Sequence, residues 1–132
     1  MLRAGVIGIG AMGQNHARIY SELPGVKLAG IADVDTNKCI TAARRFNCSP
    51  FADYRALLKH GLDAVSIVVP TSMHAAIAED AAAAGVNMLV EKPIAQAIPA
   101  AKEMIETCRK NGVKLMIGHV ERFNPVVTVV RK

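Results

Sequence analysis

The sequence predicts an α/β domain, doubly wound, with a mostly parallel sheet of about six strands and helices on both faces. Three observations predict it. Short apolar runs alternate with alanine-rich, helix-like stretches along the whole chain. A glycine-rich turn, Gly8-x-Gly10-x-x-Gly13, joins the first apolar run to the first helix-like stretch. An acidic residue, Asp33, ends the next apolar run about twenty residues past Gly13, the spacing of a dinucleotide-binding βαβ unit.

The elements follow in order. Residues 2–7 are nearly all apolar, as in a strand buried on both faces. The glycines come next. Gly8 lets the chain turn out of the strand, Gly10 lets backbone approach a pyrophosphate, and Gly13 lets helix and strand pack closely. Residues 14–22 form the first helix, and Pro24-Gly25 stops it. Residues 26–32 form the second strand and deliver Asp33. A helix over 36–46 follows, with Asp35 or Thr36 as its cap. Ser49-Pro50-Phe51 is a short third strand or a turn. Asp53 caps a short helix over 54–59, which Gly61 closes.

Residues 64–69 are rich in β-branched side chains and form the fourth strand. Thr71 or Ser72 caps a helix over 73–84, and Gly85 ends it. Residues 86–90 form the fifth strand and lead into Glu91-Lys92-Pro93. Pro99 fits the first turn of a helix running to Lys110, in which Glu106 and Lys110 make an i,i+4 pair. Residues 113–117 form the sixth strand. Asn124-Pro125 reads as the cap and first residue of one more helix, although 126–130 is β-branched enough for a strand. The expected strand order is 3-2-1-4-5-6, with a ligand crevice beyond the carboxyl ends of the strands. Gly8 to Gly13, Pro70 to His74 and Glu91 to Pro93 all fall at such ends.

Composition narrows the function classes. A length of 132 residues suits one domain, and 52% hydrophobic content without tryptophan suits a buried parallel sheet. The net charge of +5 comes from 16 Lys and Arg against 11 Asp and Glu. The basic residues cluster only in pairs, Arg44-Arg45, Arg109-Lys110 and Arg131-Lys132, so no nucleic-acid partner is expected. A modest positive field helps an anionic cofactor arrive. Cys39, Cys48 and Cys108 have no CxxC spacing, which suits free thiols in a reducing, cytoplasmic setting. No apolar run reaches membrane-spanning length, so no membrane partner is expected. The glycines within residues 1–13 argue against a signal peptide. The four His and three Cys show no metal-ligand spacing.

Several residues could carry chemistry. Asp33 accepts hydrogen bonds from both hydroxyls of an adenosine ribose and repels a 2′-phosphate. No Arg or Lys follows it until Lys38, which favours NAD over NADP. Lys92 sits at the sheet's carboxyl edge, where partial desolvation lets a lysine exchange a proton. Glu91 beside it moderates that charge or binds a ribose hydroxyl. His74, near a helix start, is either a neutral hydrogen-bonding group beside the cofactor or a histidine packed against a loop. His16 faces the same choice, and packing is the preferred reading. His119, Glu121 and Arg122 line the substrate side of the cleft or are simply loop residues.

Glu91-Lys92-Pro93, following the glycine turn and Asp33, resembles the Gfo/Idh/MocA family of sugar oxidoreductases. So do Pro70-Thr71-Ser72-Met73-His74 and the stretch from Gly118 to Pro125. The last stretch looks most like members that oxidise nucleotide-linked amino sugars at C3. The resemblance implies hydride transfer between a sugar or nucleotide-sugar hydroxyl carbon and the nicotinamide of NAD. It places Gly8, Gly10, Ala11, Met12 and Gly13 around the pyrophosphate and Asp33 on the adenosine ribose. Pro70, Thr71 and His74 then lie along the cofactor, Glu91 lies near the nicotinamide ribose, and Lys92 is the catalytic lysine, in a cis Lys92-Pro93 turn. It further implies a dinucleotide-binding domain over 1–125 and, over 126–132, the start of a crossover to a second, substrate-binding domain. On that reading the present chain binds cofactor without turning over sugar, and it self-associates weakly as a homodimer. The competing reading is a stand-alone dinucleotide-binding or sensing module without catalysis.

Overall fold

The computed structural model describes residues 1–131; Lys132, at the end of the expected crossover, lies outside them. The strands are β1 (Leu2–Ile7), β2 (Val26–Ala32), β3 (Ser49–Phe51), β4 (Ala64–Ile67), β5 (Asn87–Val90) and β6 (Leu115–Ile117). They form one six-stranded sheet in the order β3-β2-β1-β4-β5-β6. Every pairing is parallel. The helices are α1 (Ala11–Glu22), α2 (Thr36–Phe46), α3 (Tyr54–Leu58), α4 (His74–Ala83), α5 (Ile98–Lys110) and α6 (Pro125–Val130). Ser49–Phe51 is therefore a strand, paired with β2, and the β-branched run after Pro125 is a helix, capped by the Asn124 side chain.

Strand alternation divides the core in two. Val6, Leu28 and Ile31 pack against Ala17 of α1 and Cys39, Ala42 and Ala43 of α2. Ile7, Val65, Ile67, Met88 and Val90 pack against α3, α4 and α5 on the other face. The alanines matter here, since small side chains let helices lie close on a twisted sheet. Gly85, at φ 72°, ends the turn after α4, and Asn47, at φ 53°, does the same after α2.

One local alternative is resolved and two expectations shift. Asp35, rather than Thr36, caps α2 by accepting from Lys38 N–H. Neither Thr71 nor Ser72 caps α4; Thr71–Met73 forms a 3-10 turn first, and α4 begins at His74. Glu106 pairs with Arg109, at 2.6 and 2.9 Å, rather than with Lys110. The planar guanidinium meets both carboxylate oxygens with two N–H groups held in a fixed fork, a geometry an ammonium lacks.

One more ladder bond pins the residue just past each of four strand ends. Gly8 N–H donates to Ala32 O at 2.8 Å and Val68 N–H to Ile7 O at 2.8 Å. Glu91 N–H donates to Ile67 O at 3.0 Å and Gly118 N–H to Val90 O at 2.8 Å. The sheet thus extends its rigidity into the residues that line the crevice.

Candidate functional site

The site begins with the turn between β1 and α1. Gly8 sits at φ +92°, and a Cβ there would lie 2.0 Å from Val68 O. A Cβ on Gly13 would lie 1.9 Å from Gly8 O, so helix and turn meet backbone to backbone. A Cβ on Gly10 would meet nothing within 4 Å, so its face is open. Helix α1 has no side-chain cap and no acidic residue in its first turn. Its first amides therefore offer hydrogen bonds and a positive dipole end to an anion. Gly10, Ala11 and Met12 are exposed there, while Gly8 and Gly13 are buried.

Asp33 fastens this turn. Its Oδ2 accepts from Ile9 N–H at 2.8 Å and its Oδ1 accepts from Asp35 N–H at 2.8 Å. Each oxygen keeps a lone pair for a further donor. A cleft of about 370 Å³ opens beside it, lined by Gly8, Asp33, Val34, Pro70 and Met73, and by Arg55 from α3. Sequence reasoning missed Arg55, which stands far from Asp33 in the chain. Its charge is offset where it lies, with Nε 3.2 Å from Asp80 and Nη1 3.9 Å from Asp53. Tyr54 O–H donates to the same Asp80 carboxylate. Burial, and then that bond, push the Tyr54 hydroxyl up to about 12.

At the other end of the crevice, Glu91 and Lys92 follow β5. Lys92 is exposed, and its peptide bond to Pro93 is cis. Glu91 turns inward. Its Oε1 lies 2.8 Å from His16 Nε2, and its Oε2 lies 3.3 Å from Lys92 N. His16 Nδ1 lies 2.9 Å from Ser66 Oγ, which lies 2.7 Å from Tyr20 OH. The expectation that His16 merely packs is therefore corrected: its ring joins α1 to β4 and to the end of β5. A visible signal was Ser66, a lone hydroxyl inside an otherwise apolar strand.

For His74 the structure agrees with the reading as a histidine packed against a loop. It is 1% exposed, with Nε2 2.9 Å from Val69 O and Nδ1 3.1 Å from Ile94 O. The 3-10 turn takes the crevice edge, and His74 starts α4 beneath it. It packs between the loops after β4 and β5, where a ring N–H donates to one of these two carbonyls. Pro70 and Thr71 remain at the surface, with Pro70 in the cleft lining. His119, Glu121 and Arg122 are exposed. Burial raises the thiol pKa of Cys39 and Cys108, and pushes Cys48 up to about 11, so none is a ready nucleophile. Among the described residues no cluster of His, Cys, Asp or Glu could hold a metal, and no helix is long and apolar enough to cross a membrane.

Residues 2–119 match the family described as "Oxidoreductase family, NAD-binding Rossmann fold". The chain belongs to this Gfo/Idh/MocA family. Among its relatives is UDP-N-acetylglucosamine 3-dehydrogenase of Acidithiobacillus ferrooxidans, 38% identical over 99% of this chain and 41% of that protein. The solved structure of that enzyme superposes with a TM-score of 0.92, covering 98% of this chain and 42% of that one. The scyllo-inositol 2-dehydrogenase (NAD(+)) of Bacillus subtilis is 32% identical over 94% of this chain and 37% of its own length. GenD2 from gentamicin A biosynthesis, solved in complex with NAD, is 30% identical at a TM-score of 0.85 over 89% of this chain and 34% of GenD2. The chain thus spans well under half the length of these Gfo/Idh/MocA relatives, and what it matches in each is the Rossmann fold.

Proposed function

We propose that this chain binds NAD across the carboxyl ends of its strands, as the cofactor-binding part of a dehydrogenase acting on a sugar or nucleotide-sugar hydroxyl. The observation that carries the proposal is the uncapped N-terminus of α1, fastened through Ile9 N–H to the Asp33 carboxylate. Those residues fit a dinucleotide. The turn of Gly8, Gly10, Ala11, Met12 and Gly13 surrounds a pyrophosphate, which takes its hydrogen bonds from the exposed amides at the start of α1, with the open face of Gly10 giving it room. The free lone pairs of Asp33 accept the adenosine ribose hydroxyls. A 2′-phosphate would meet a carboxylate there, so NAD is preferred over NADP. Pro70 and Thr71 lie along the cofactor, and Glu91 stands at the nicotinamide ribose.

Bound nicotinamide would supply the hydride acceptor. Lys92 then orients the reacting hydroxyl through its ammonium and passes on the proton that leaves the oxygen. In this reading residues 1–125 form the dinucleotide-binding domain, and 126–132 begin a crossover into a substrate domain. The greater length of the relatives supports that division. The sugar and nucleotide-sugar substrates of the relatives support the substrate class, and free thiols support a cytoplasmic setting.

Calorimetric titration of the chain with NAD and with NADP tests the reading. NAD should bind clearly more tightly, and equal affinities would overturn the assignment of Asp33. In the protein that carries this domain, Lys92→Ala should lower turnover by about 10²–10⁴-fold while leaving NAD affinity unchanged. Unchanged turnover would remove Lys92 from the chemistry.

A further inference from the structure

Ser66 is fully buried at 0% exposure. Val65 and Ile67 on either side of it pack into the core beneath α4 and α5. Strand alternation therefore turns Ser66 to the opposite face, toward α1. Two residues of α1 one turn apart, His16 and Tyr20, both reach it there. The chain of contacts continues from His16 Nε2 to Glu91 Oε1, with both of those side chains only 12% exposed. On its other side the Glu91 carboxylate lies against Gly118, whose missing Cβ would come within 3.0 Å of Oε1.

Hydrogen placement follows from donors and acceptors. A Glu91 carboxylate accepts only, so His16 presents Nε2–H to it. In a neutral ring Nδ1 is then an acceptor and takes the Ser66 hydroxyl hydrogen. Ser66 Oγ in turn accepts from Tyr20 O–H. Every bond in the chain is then satisfied and points one way, toward Glu91.

We propose that His16 is a positioning residue: it holds the Glu91 carboxylate in register with the nicotinamide ribose, and Ser66 and Tyr20 fix its ring. The proposal rests on the dinucleotide reading above and deepens it. Without His16, Glu91 keeps as its hydrogen bond only the long one from Lys92 N–H, and the bare backbone of Gly118 beside it does not fix the carboxylate in register. Because His16 stands one turn along the helix that opens at the glycine loop, it also ties the pyrophosphate end of the site to the turn that presents Lys92.

The test compares NAD with ADP, which carries the adenosine and pyrophosphate but not the nicotinamide ribose. Both are titrated into the unaltered chain, His16→Leu and His16→Gln, and ¹⁵N NMR of the unaltered chain reads the His16 tautomer. His16→Leu should weaken NAD about tenfold and leave ADP within about twofold. His16→Gln, whose amide nitrogen can reach the Nε2 position, should recover part of the loss. The tautomer should be Nε2–H. Equal losses for NAD and ADP, no loss for either, or an Nδ1–H tautomer would each overturn the proposal. If His16→Leu does not fold, the Gln variant and the tautomer decide. If the unaltered chain binds neither NAD nor ADP, the dinucleotide reading has failed; if it binds both and His16→Leu changes neither, only this proposal has.

Discussion

Two carboxylates stand at two strand ends, Asp33 after β2 and Glu91 after β5, and they are held in different ways. Asp33 is gripped by backbone, with Ile9 and Asp35 N–H both at 2.8 Å. Glu91 is gripped by a side chain, His16, itself held by Ser66 and Tyr20. A backbone grip asks nothing of the partner side chains; it needs only that β1 and β2 pair and bring the Ile9 amide to Asp33. A side-chain grip needs particular residues on three elements. The adenosine end should therefore tolerate substitution around Asp33, whereas the nicotinamide end should respond to changes well away from Glu91.

The largest expected effect lies in the turn that both ends share. Gly13→Ala places a Cβ 1.9 Å from Gly8 O, and backbone must move to admit it. We expect a stability loss of about 3 kcal/mol or more in chemical denaturation. Gly10→Ala is the control, since its Cβ meets nothing within 4 Å. It should melt like the parent chain while binding NAD more weakly, because the methyl fills the space left for the pyrophosphate. Normal stability in both variants would show that the glycine turn is looser than its geometry indicates.

Next in size is Asp33→Ala, which removes the backbone-held carboxylate outright. Charge-assisted bonds to a ribose are worth enough that NAD affinity should fall roughly 10–100-fold. ADP should lose a similar factor, since it shares that ribose, and calorimetry with both ligands checks this. A loss confined to NAD would reverse the assignment of the two ends.

Ser66→Ala probes the side-chain grip from its far end. It leaves His16 Nδ1 and Tyr20 OH without their shared partner, at a cost of about 1–3 kcal/mol in denaturant unfolding. Thermal and chemical melts matching the parent chain would show that the buried chain of hydroxyls is slack.

The smallest effect is on pH. The folded Tyr54 hydroxyl titrates at about 12, because burial and then the Asp80 carboxylate disfavour its anion. An unfolded tyrosine titrates near 10. The raised folded value makes a contribution to stability that is fully present below about pH 10 and is lost as pH rises from there toward 12. Thermal melts between pH 8 and 11 should show the decline beginning near 10. Tyr54→Phe should flatten this part of the curve, and an equal slope in that variant would assign the decline elsewhere.

Much of this molecule is readable from local chemistry. Alternating apolar runs, Pro24-Gly25, Gly85 and the glycine turn specify the elements, because each acts within a few residues of itself, and the strand order follows from the doubly wound fold that their alternation implies. Asp33 is only half local in this sense: Asp35 is its near neighbour, but Ile9 reaches it from the end of another strand because β1 pairs with β2. Only the folded chain brings His16, Ser66 and Glu91 together, because they come from three separate elements and their meeting depends on which face each strand and helix turns inward. His74 shows the converse: its place after β4 was plain from its position, but only packing decided that its ring is buried against the carbonyls of Val69 and Ile94. Arg55 joined the cleft for the same reason that Ser66 joined Glu91. Spacing along the chain determines periodicity and turns, while the packing of helices onto the sheet decides which polar side chains share a site.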